Sequence, residues 1–409
     1  MRDRVGIGAS CHGSRHAQHL RSSLCCWGIE DLHERDHRGA CREQPSRRRV
    51  RAGGNRLEPR LVVLGSARNS HRPARSGAMK REDAMKIVFY GRDTEAFADE
   101  FPGLLSESAE IAVLPDDLAG ATDRSVFATA DVIVANRFSG SVPNPRGLKL
   151  LHVPAAGFDA IDMDAVPAGA AVCNSFGHEQ AIAEFVLAAL LARVVPLADA
   201  DARLRRGDWA YWAGAPERAH AELSEMTLGL FGFGHIGRTI ARRAKAFDMS
   251  VVVANRSAVP ASPLVDGAFA LGDAAFWSAA DAIVVSLPLT EGTRGIVGKA
   301  EFAAMRPDAV ILNVGRGPVI DEQALYDALT SGQIGGAVID TWYLYPFGDE
   351  VSVLPASLPF HELQNLVMTP HMSGWTRGTI RRRRDLIARN VNHLAAGEPL
   401  ENVVRPALG

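Results

Sequence analysis

From Met85 onward the chain alternates short apolar runs with longer mixed segments, almost to its C-terminal end. The runs fall at 86–90, 131–135, 148–153, 227–231, 251–254, 282–287, 309–314 and 337–341. Runs so uniformly apolar predict strands of parallel sheets covered on both faces by helices. Two helical stretches predict connectors: 179–193, where Ile182, Phe185, Val186, Ala189 and Leu190 form a broad apolar stripe, and 376–396. If the second returns the chain to its starting unit, residues 85–190 completed by 376–409 form one domain and 191–375 the other, with a ligand cleft between them. The expected class is α/β, with two Rossmann-like doubly wound domains.

Residues 1–84 lack this periodicity. They hold 18 of the 45 Lys and Arg, 9 of the 47 Asp and Glu, and four of the five cysteines (Cys11, Cys25, Cys26 and Cys41). That composition fits neither a secretory signal, which needs an apolar core, nor a transit peptide, which is poor in acids. Its Cys and His spacings match no zinc pattern, so no metal is expected. The expectation is a disordered extension, or sequence upstream of a true start at Met79 or Met85. The fifth cysteine, Cys173, stands alone; nothing implies a disulfide framework, and a cytoplasmic protein is expected.

A length of 409 residues suits two domains, and no apolar run approaches the roughly eighteen residues of a membrane span. The formal net charge of -2 conceals a split, because residues 85–409 carry 27 basic against 38 acidic side chains. Such a body repels nucleic acid, so neither nucleic acid nor membrane is expected as a partner.

The strand at 227–231 runs straight into Gly232-Phe-Gly234-His235-Ile236-Gly237, and residues 238–247 then suit a helix. This is G-x-G-x-x-G in its strand–turn–helix setting: one glycine for the turn, one for close approach of a pyrophosphate, one for helix–strand packing. The helix N-terminus offers unpaired N–H groups to the phosphates. An acidic residue ending the second strand would bind a ribose 2′-hydroxyl. Here Asn255 and Arg256 stand instead, which favours a 2′-phosphate and hence NADP over NAD.

Four further segments sit in a telling order: Pro154-Ala-Ala-Gly-Phe-Asp159, Leu312-Asn-Val-Gly-Arg-Gly-Pro-Val-Ile-Asp321, Gly336-Ala-Val-Ile-Asp-Thr-Trp342 and Thr369-Pro-His-Met-Ser-Gly-Trp375. With the glycine turn they resemble the D-isomer-specific 2-hydroxyacid dehydrogenases, which include phosphoglycerate, glyoxylate/hydroxypyruvate, phosphite and formate dehydrogenases. The resemblance covers essentially all of 85–409. It implies that Arg316 binds the substrate carboxylate and polarises the reacting oxygen, a task that suits a planar guanidinium. It also implies that His371 is the acid/base, since imidazole titrates near neutral pH. Asp340 is expected to accept a hydrogen bond from the nicotinamide carboxamide, with Val314, His235 and Ile236 contacting the cofactor through backbone and Pro288 lining the adenine side. Ala155, Ala156 and Gly157 are expected to offer N–H groups to the substrate carboxylate, and Arg137 to meet the substrate's far end.

One position departs from the family, which has Glu or Gln before a proline where this chain has Tyr345-Pro346. A carboxylate there orients the histidine and raises its pKa; a phenol orients it with less stabilisation of imidazolium. Either Tyr345 takes a weaker form of that role, or Asp349 or Glu350 supplies the carboxylate. The resemblance implies hydride transfer between NAD(P)H and a small 2-oxo or 2-hydroxy acid by a homodimer. The alternatives are a formate- or phosphite-type dehydrogenase, or a dinucleotide-sensing corepressor-like protein.

Overall fold

The structure, a computed structural model, describes residues 84–346 and 352–408. The expectations for residues 1–83, and for a carboxylate from Asp349 or Glu350, lie outside the described residues. All eight apolar runs form strands. The first sheet begins with β1 (Met85–Tyr90), β2 (Ala109–Leu114), β3 (Val132–Ala135), β4 (Leu150–His152) and β5 (Ala171–Cys173). The second contains β6 (Thr227–Phe231), β7 (Ser250–Asn255), β8 (Gly267–Ala270), β9 (Ala282–Val285), β10 (Val310–Asn313), β11 (Gly336–Ile339) and β12 (Leu366–Met368). Their orders are β13-β5-β4-β3-β1-β2, where β13 is Val403–Arg405, and β12-β11-β10-β9-β6-β7-β8.

Both sheets are doubly wound, and one feature departs from the all-parallel expectation: β13 pairs antiparallel to β5. The chain can add that strand because the helix Arg377–Ala396 has already brought it back to the first sheet. The side chain of Thr376 caps this helix by accepting the Thr379 N–H, and Gly397 ends it at φ 68°. Its Ile387, Ala388 and Val391 pack with Ile87, Phe89 and Leu150 under the first sheet. The helix Glu179–Val194 behaves differently from its sequence assignment. Ile182, Val186 and Leu190 join Leu228, Leu230 and Ile240 in a core of the second sheet. The apolar stripe was legible, whereas the sheet it would cover was not.

In the second sheet the chain winds from β6 outward through β7 and β8, then crosses back to continue on the other side of β6 with β9, so its direction reverses between β6 and β9. Beyond the carboxyl ends of these two strands the loops diverge and leave a crevice, the usual ligand position of such folds. Gly232 follows β6 there, and Ser286 follows β9.

Candidate active site

Gly232 has φ 106°, a conformation costly for any residue with a side chain, and its N–H donates to the Ala254 carbonyl at 2.9 Å. A Cβ on Gly237 would collide with the Gly232 carbonyl, whereas one on Gly234 would meet nothing within 4 Å. The turn is therefore tight at its base and open at its mouth, which fits a pyrophosphate. The following helix spans His235–Lys245, starting before the expected residue 238 because Gly234 is its N-cap. His235 is exposed and stacks on Phe176 at 4.6 Å, while Ile236 is half-buried. Asn255 ties the end of β7 to the turn: its Oδ1 accepts the Phe233 N–H at 3.2 Å and its Nδ2 donates to the Ser257 carbonyl at 2.9 Å. Arg256 beside it is exposed. Across the crevice, buried Val314 donates its N–H to the Val285 carbonyl, and exposed Pro288 accepts from the Thr293 hydroxyl at 2.6 Å.

The turn after β10 is held by Asn313, whose Nδ2 donates to the Arg316 carbonyl at 3.0 Å and whose Oδ1 accepts the Gly315 N–H at 3.1 Å. So fixed, Arg316 reaches across to the loop after β4. Its Nε and Nη2 both donate to Asp159 Oδ1 at 3.3 Å, and its Nη1 donates to the Gly315 carbonyl at 3.0 Å. The guanidinium passes so close to Gly157 that a Cβ there would collide with Nη2. The same loop is anchored by its carbonyls: Ala155 accepts from the Ser175 N–H at 3.0 Å and Ala156 from Asn174 Nδ2 at 2.7 Å. Among the described residues no hydrogen bond uses the amides of Ala155, Ala156 or Gly157. Arg137 is exposed, and its charge acts on Tyr90, the last residue of β1.

His371 adopts φ 57°, in the left-handed region that is uncommon outside glycine. Asp340 imposes it. This fully buried carboxylate accepts from the Thr369 hydroxyl at 2.6 Å, the Met372 N–H at 2.9 Å and the Ser373 N–H at 3.0 Å. It thus clamps the loop on both sides of His371, a role the sequence did not suggest for it. Tyr345 completes the arrangement, its hydroxyl lying 3.0 Å from His371 Nδ1 and accepting the Trp342 N–H at 3.0 Å. Loss of solvent around the ring lowers the His371 pKa, and Arg316 and Arg383 add to this against the opposing fields of Asp340 and Asp159. Partial burial raises the Tyr345 pKa, so the phenol keeps its proton.

The structure therefore gathers Arg316, His371, Tyr345 and the 155–157 loop at one cleft beside the glycine turn. It adds Asp159, Asn313, His178 and Arg383, to which sequence reading gave no role. Asp159 and Asn313 stand inside motif segments and were visible as polar residues at fixed offsets. His178 and Arg383 come from helices far apart in sequence, and only tertiary packing shows them near His371.

Residues 187–373 match the family model for the D-isomer specific 2-hydroxyacid dehydrogenase, NAD binding domain. A glyoxylate reductase of Thermococcus litoralis is 32% identical over 267 residues, which is 64% of this chain and 78% of the relative. A hydroxypyruvate reductase of Thermotoga maritima is 34% identical over 257 residues, covering 62% of this chain and 77% of the relative. The solved structure of an acyclic imino acid reductase in complex with NADPH and D-Arg superposes with a TM-score of 0.61 at 25% identity, covering 78% of this chain and 100% of that one. The chain belongs to the D-isomer-specific 2-hydroxyacid dehydrogenase family, as an NAD(P)-dependent enzyme. Among the described residues no single helix is long and apolar enough to cross a membrane.

Proposed function

We propose that this enzyme reduces a small 2-oxo acid to the 2-hydroxy acid with NADPH, using Arg316 as substrate anchor and His371 as proton donor. The observation that carries this reading is the convergence of Arg316, the free amides of residues 155–157 and the His371–Tyr345 pair on one cleft. The bound dinucleotide would supply the hydride. Arg316 exchanges Asp159 for the substrate carboxylate, and its remaining N–H groups stabilise charge developing on the 2-oxo oxygen. The amides of Ala155, Ala156 and Gly157 take the other side of that carboxylate.

His371 then gives its proton to the oxygen as the alcohol forms. Tyr345 suits both states of the ring. Its O–H can donate to Nδ1 of the neutral imidazole, and its second lone pair can accept Nδ1–H of the imidazolium. A phenol does this without the charge of a carboxylate, consistent with the lowered His371 pKa. For the cofactor, Gly232, Gly234 and Gly237 with the N-terminal amides at His235 and Ile236 would cradle the pyrophosphate. Val314 and Pro288 would wall the crevice. Asn255 braces the turn, and exposed Arg256 would pair with a 2′-phosphate, which supports NADP over NAD. The nicotinamide carboxamide would have to share Asp340 with the three hydrogen bonds it already accepts, so Asp340 is above all a positioning residue for His371. A cytoplasmic homodimer divided near residues 190 and 376 belongs to the same reading and rests on the family likeness.

The test is a panel read by absorbance of the reduced cofactor, with glyoxylate, hydroxypyruvate, phenylpyruvate, formate and phosphite. Consumption of NADPH with one or more 2-oxo acids is expected. Reduction of oxidised cofactor by formate or phosphite, with no turnover of any 2-oxo acid, would contradict the proposal.

A further inference from the structure

Arg383 lies on the inner face of the helix Arg377–Ala396 and is only 9% exposed. Among the described residues no hydrogen bond or ion pair reaches it, and its Nε is buried without a partner. Its neighbour Arg382 is by contrast fixed, donating from Nε to the Gly177 carbonyl at 2.7 Å. That contact brings Arg383 to the turn opening the helix Glu179–Val194. There His178, the N-cap residue, is 8% exposed, and its Nδ1 is likewise buried without a hydrogen bond, 4.0 Å from Glu179 Oε1. The nearby carboxylate of Glu179 is already engaged, its two oxygens accepting the Gly177 N–H at 3.1 and 3.0 Å. A Cβ placed on Gly374, three residues past His371, would lie 3.4 Å from His178 Cβ, so this turn abuts the catalytic loop.

The charges register one another across this junction. The field of Arg383 acts on both His178 and His371, and that of Arg316 acts on all three. Burial brings Arg383 down to about 10, so it stays a cation at neutral pH. A buried guanidinium without a hydrogen-bonded partner is costly unless an anion comes to meet it. Arg316 already has the acid's own carboxylate as its task. Arg383 is a second cation whose field reaches the same histidine.

We propose that Arg383 and His178 form a second anion-recognition subsite, so that the preferred substrate is a 2-oxo acid with another carboxylate at its far end; this rests on the roles given to Arg316 and His371 above. The buried guanidinium supplies the fork that matches a carboxylate, and His178 supplies one ring nitrogen beside it. Binding there also offsets the repulsion between Arg383 and a protonated His371. A dicarboxylic substrate thereby favours the acid form that reduction requires.

The experiment compares kcat/KM of the full chain with NADPH for oxaloacetate and 2-oxoglutarate against glyoxylate and pyruvate, with 3-phosphohydroxypyruvate as a phosphate arm. The dicarboxylates should be favoured about tenfold or more. Arg383→Met should lower that ratio about ten- to hundredfold, mainly through KM, and Arg383→Lys should restore part of it. Should Arg383→Met not fold, the wild-type ratio and the lysine variant decide. Equal kcat/KM for the two classes in the wild type, or a ratio unchanged by Arg383→Met, would make Arg383 a mere counter-charge to Glu179 and overturn the proposal, leaving Arg316 and His371 in place. A preference confined to the phosphorylated acid overturns the carboxylate assignment. Absence of turnover with every 2-oxo acid overturns this subsite and the reading it rests on together.

Discussion

Tyr345 touches the ring of His371, and the pair was half legible in sequence. The spacing from Asp340 placed a phenol where relatives carry a carboxylate, and the structure puts its oxygen 3.0 Å from Nδ1. Reduction needs the imidazolium, so its rate should fall as pH rises through the lowered His371 pKa. Tyr345→Glu adds a negative charge beside the ring and raises that pKa. The alkaline limb of the kcat/KM profile should then move to higher pH, while Tyr345→Phe should leave turnover lower through a misoriented ring. Unmoved profiles in both variants would show that the phenol is a bystander. Gly157 offers a second test at this scale. Gly157→Ala should displace the Arg316 guanidinium and raise KM for the 2-oxo acid, with dinucleotide affinity, measured by fluorescence quenching, kept. The direct ion pair of Arg316 with Asp159 had no sequence signal, because it joins loops 157 positions apart.

At the scale of elements, the glycine turn was the most legible part of the chain, since its strand, its glycines and its helix agree with one another. Gly237→Ala should cost dinucleotide affinity and stability together, because the added methyl meets the Gly232 carbonyl and not a movable side chain. Titration with NADPH and a melting curve would check it; an unaffected variant would mean that the turn relaxes freely. Five strands escaped the pattern: β2, β5, β8, β12 and β13. Four of them are sheet edges, where one side of the strand lacks a neighbour and burial is incomplete. β8 alternates between half-buried and exposed positions, and no residue of β12 is fully buried. β5 is interior but only three residues long, too short for a periodic signal. Edge strands are set by what the rest of the sheet leaves uncovered, which a local pattern does not contain.

For the molecule as a whole, contacts between the two sheets' surroundings include Arg316 with Asp159, Phe97 with Trp375, and the packing of residues 176–178 against His235 and Gly374. Cofactor choice belongs to this scale, because it sets which reaction the assembled cleft runs. Arg256→Ala should weaken NADPH by about 1.5–3 kcal/mol more than NADH, the range for a lost hydrogen bond to a charged group. Equal weakening would show that Arg256 touches no 2′-phosphate. Global stability should carry an acid signature. His152 is fully buried in β4 beside Asn390 of the returning helix, and burial pushes it down to about 4. Its folded pKa lies below its unfolded value, so its contribution is intact above pH ~6.5 and is lost as pH falls toward 4, up to about 3 kcal/mol. His178, pushed by burial to about 3, acts in the same sense. The melting temperature should therefore decline across that window, and His152→Gln should flatten the decline.

The most direct test of the assembled cleft is turnover of the best 2-oxo acid by His371→Ala, with NADPH affinity measured on the same preparation. General acid catalysis is typically worth about 10²- to 10⁴-fold, and the glycine turn lies outside the substitution, so kcat should fall by that factor while the dinucleotide still binds. Wild-type turnover in this variant would contradict the account.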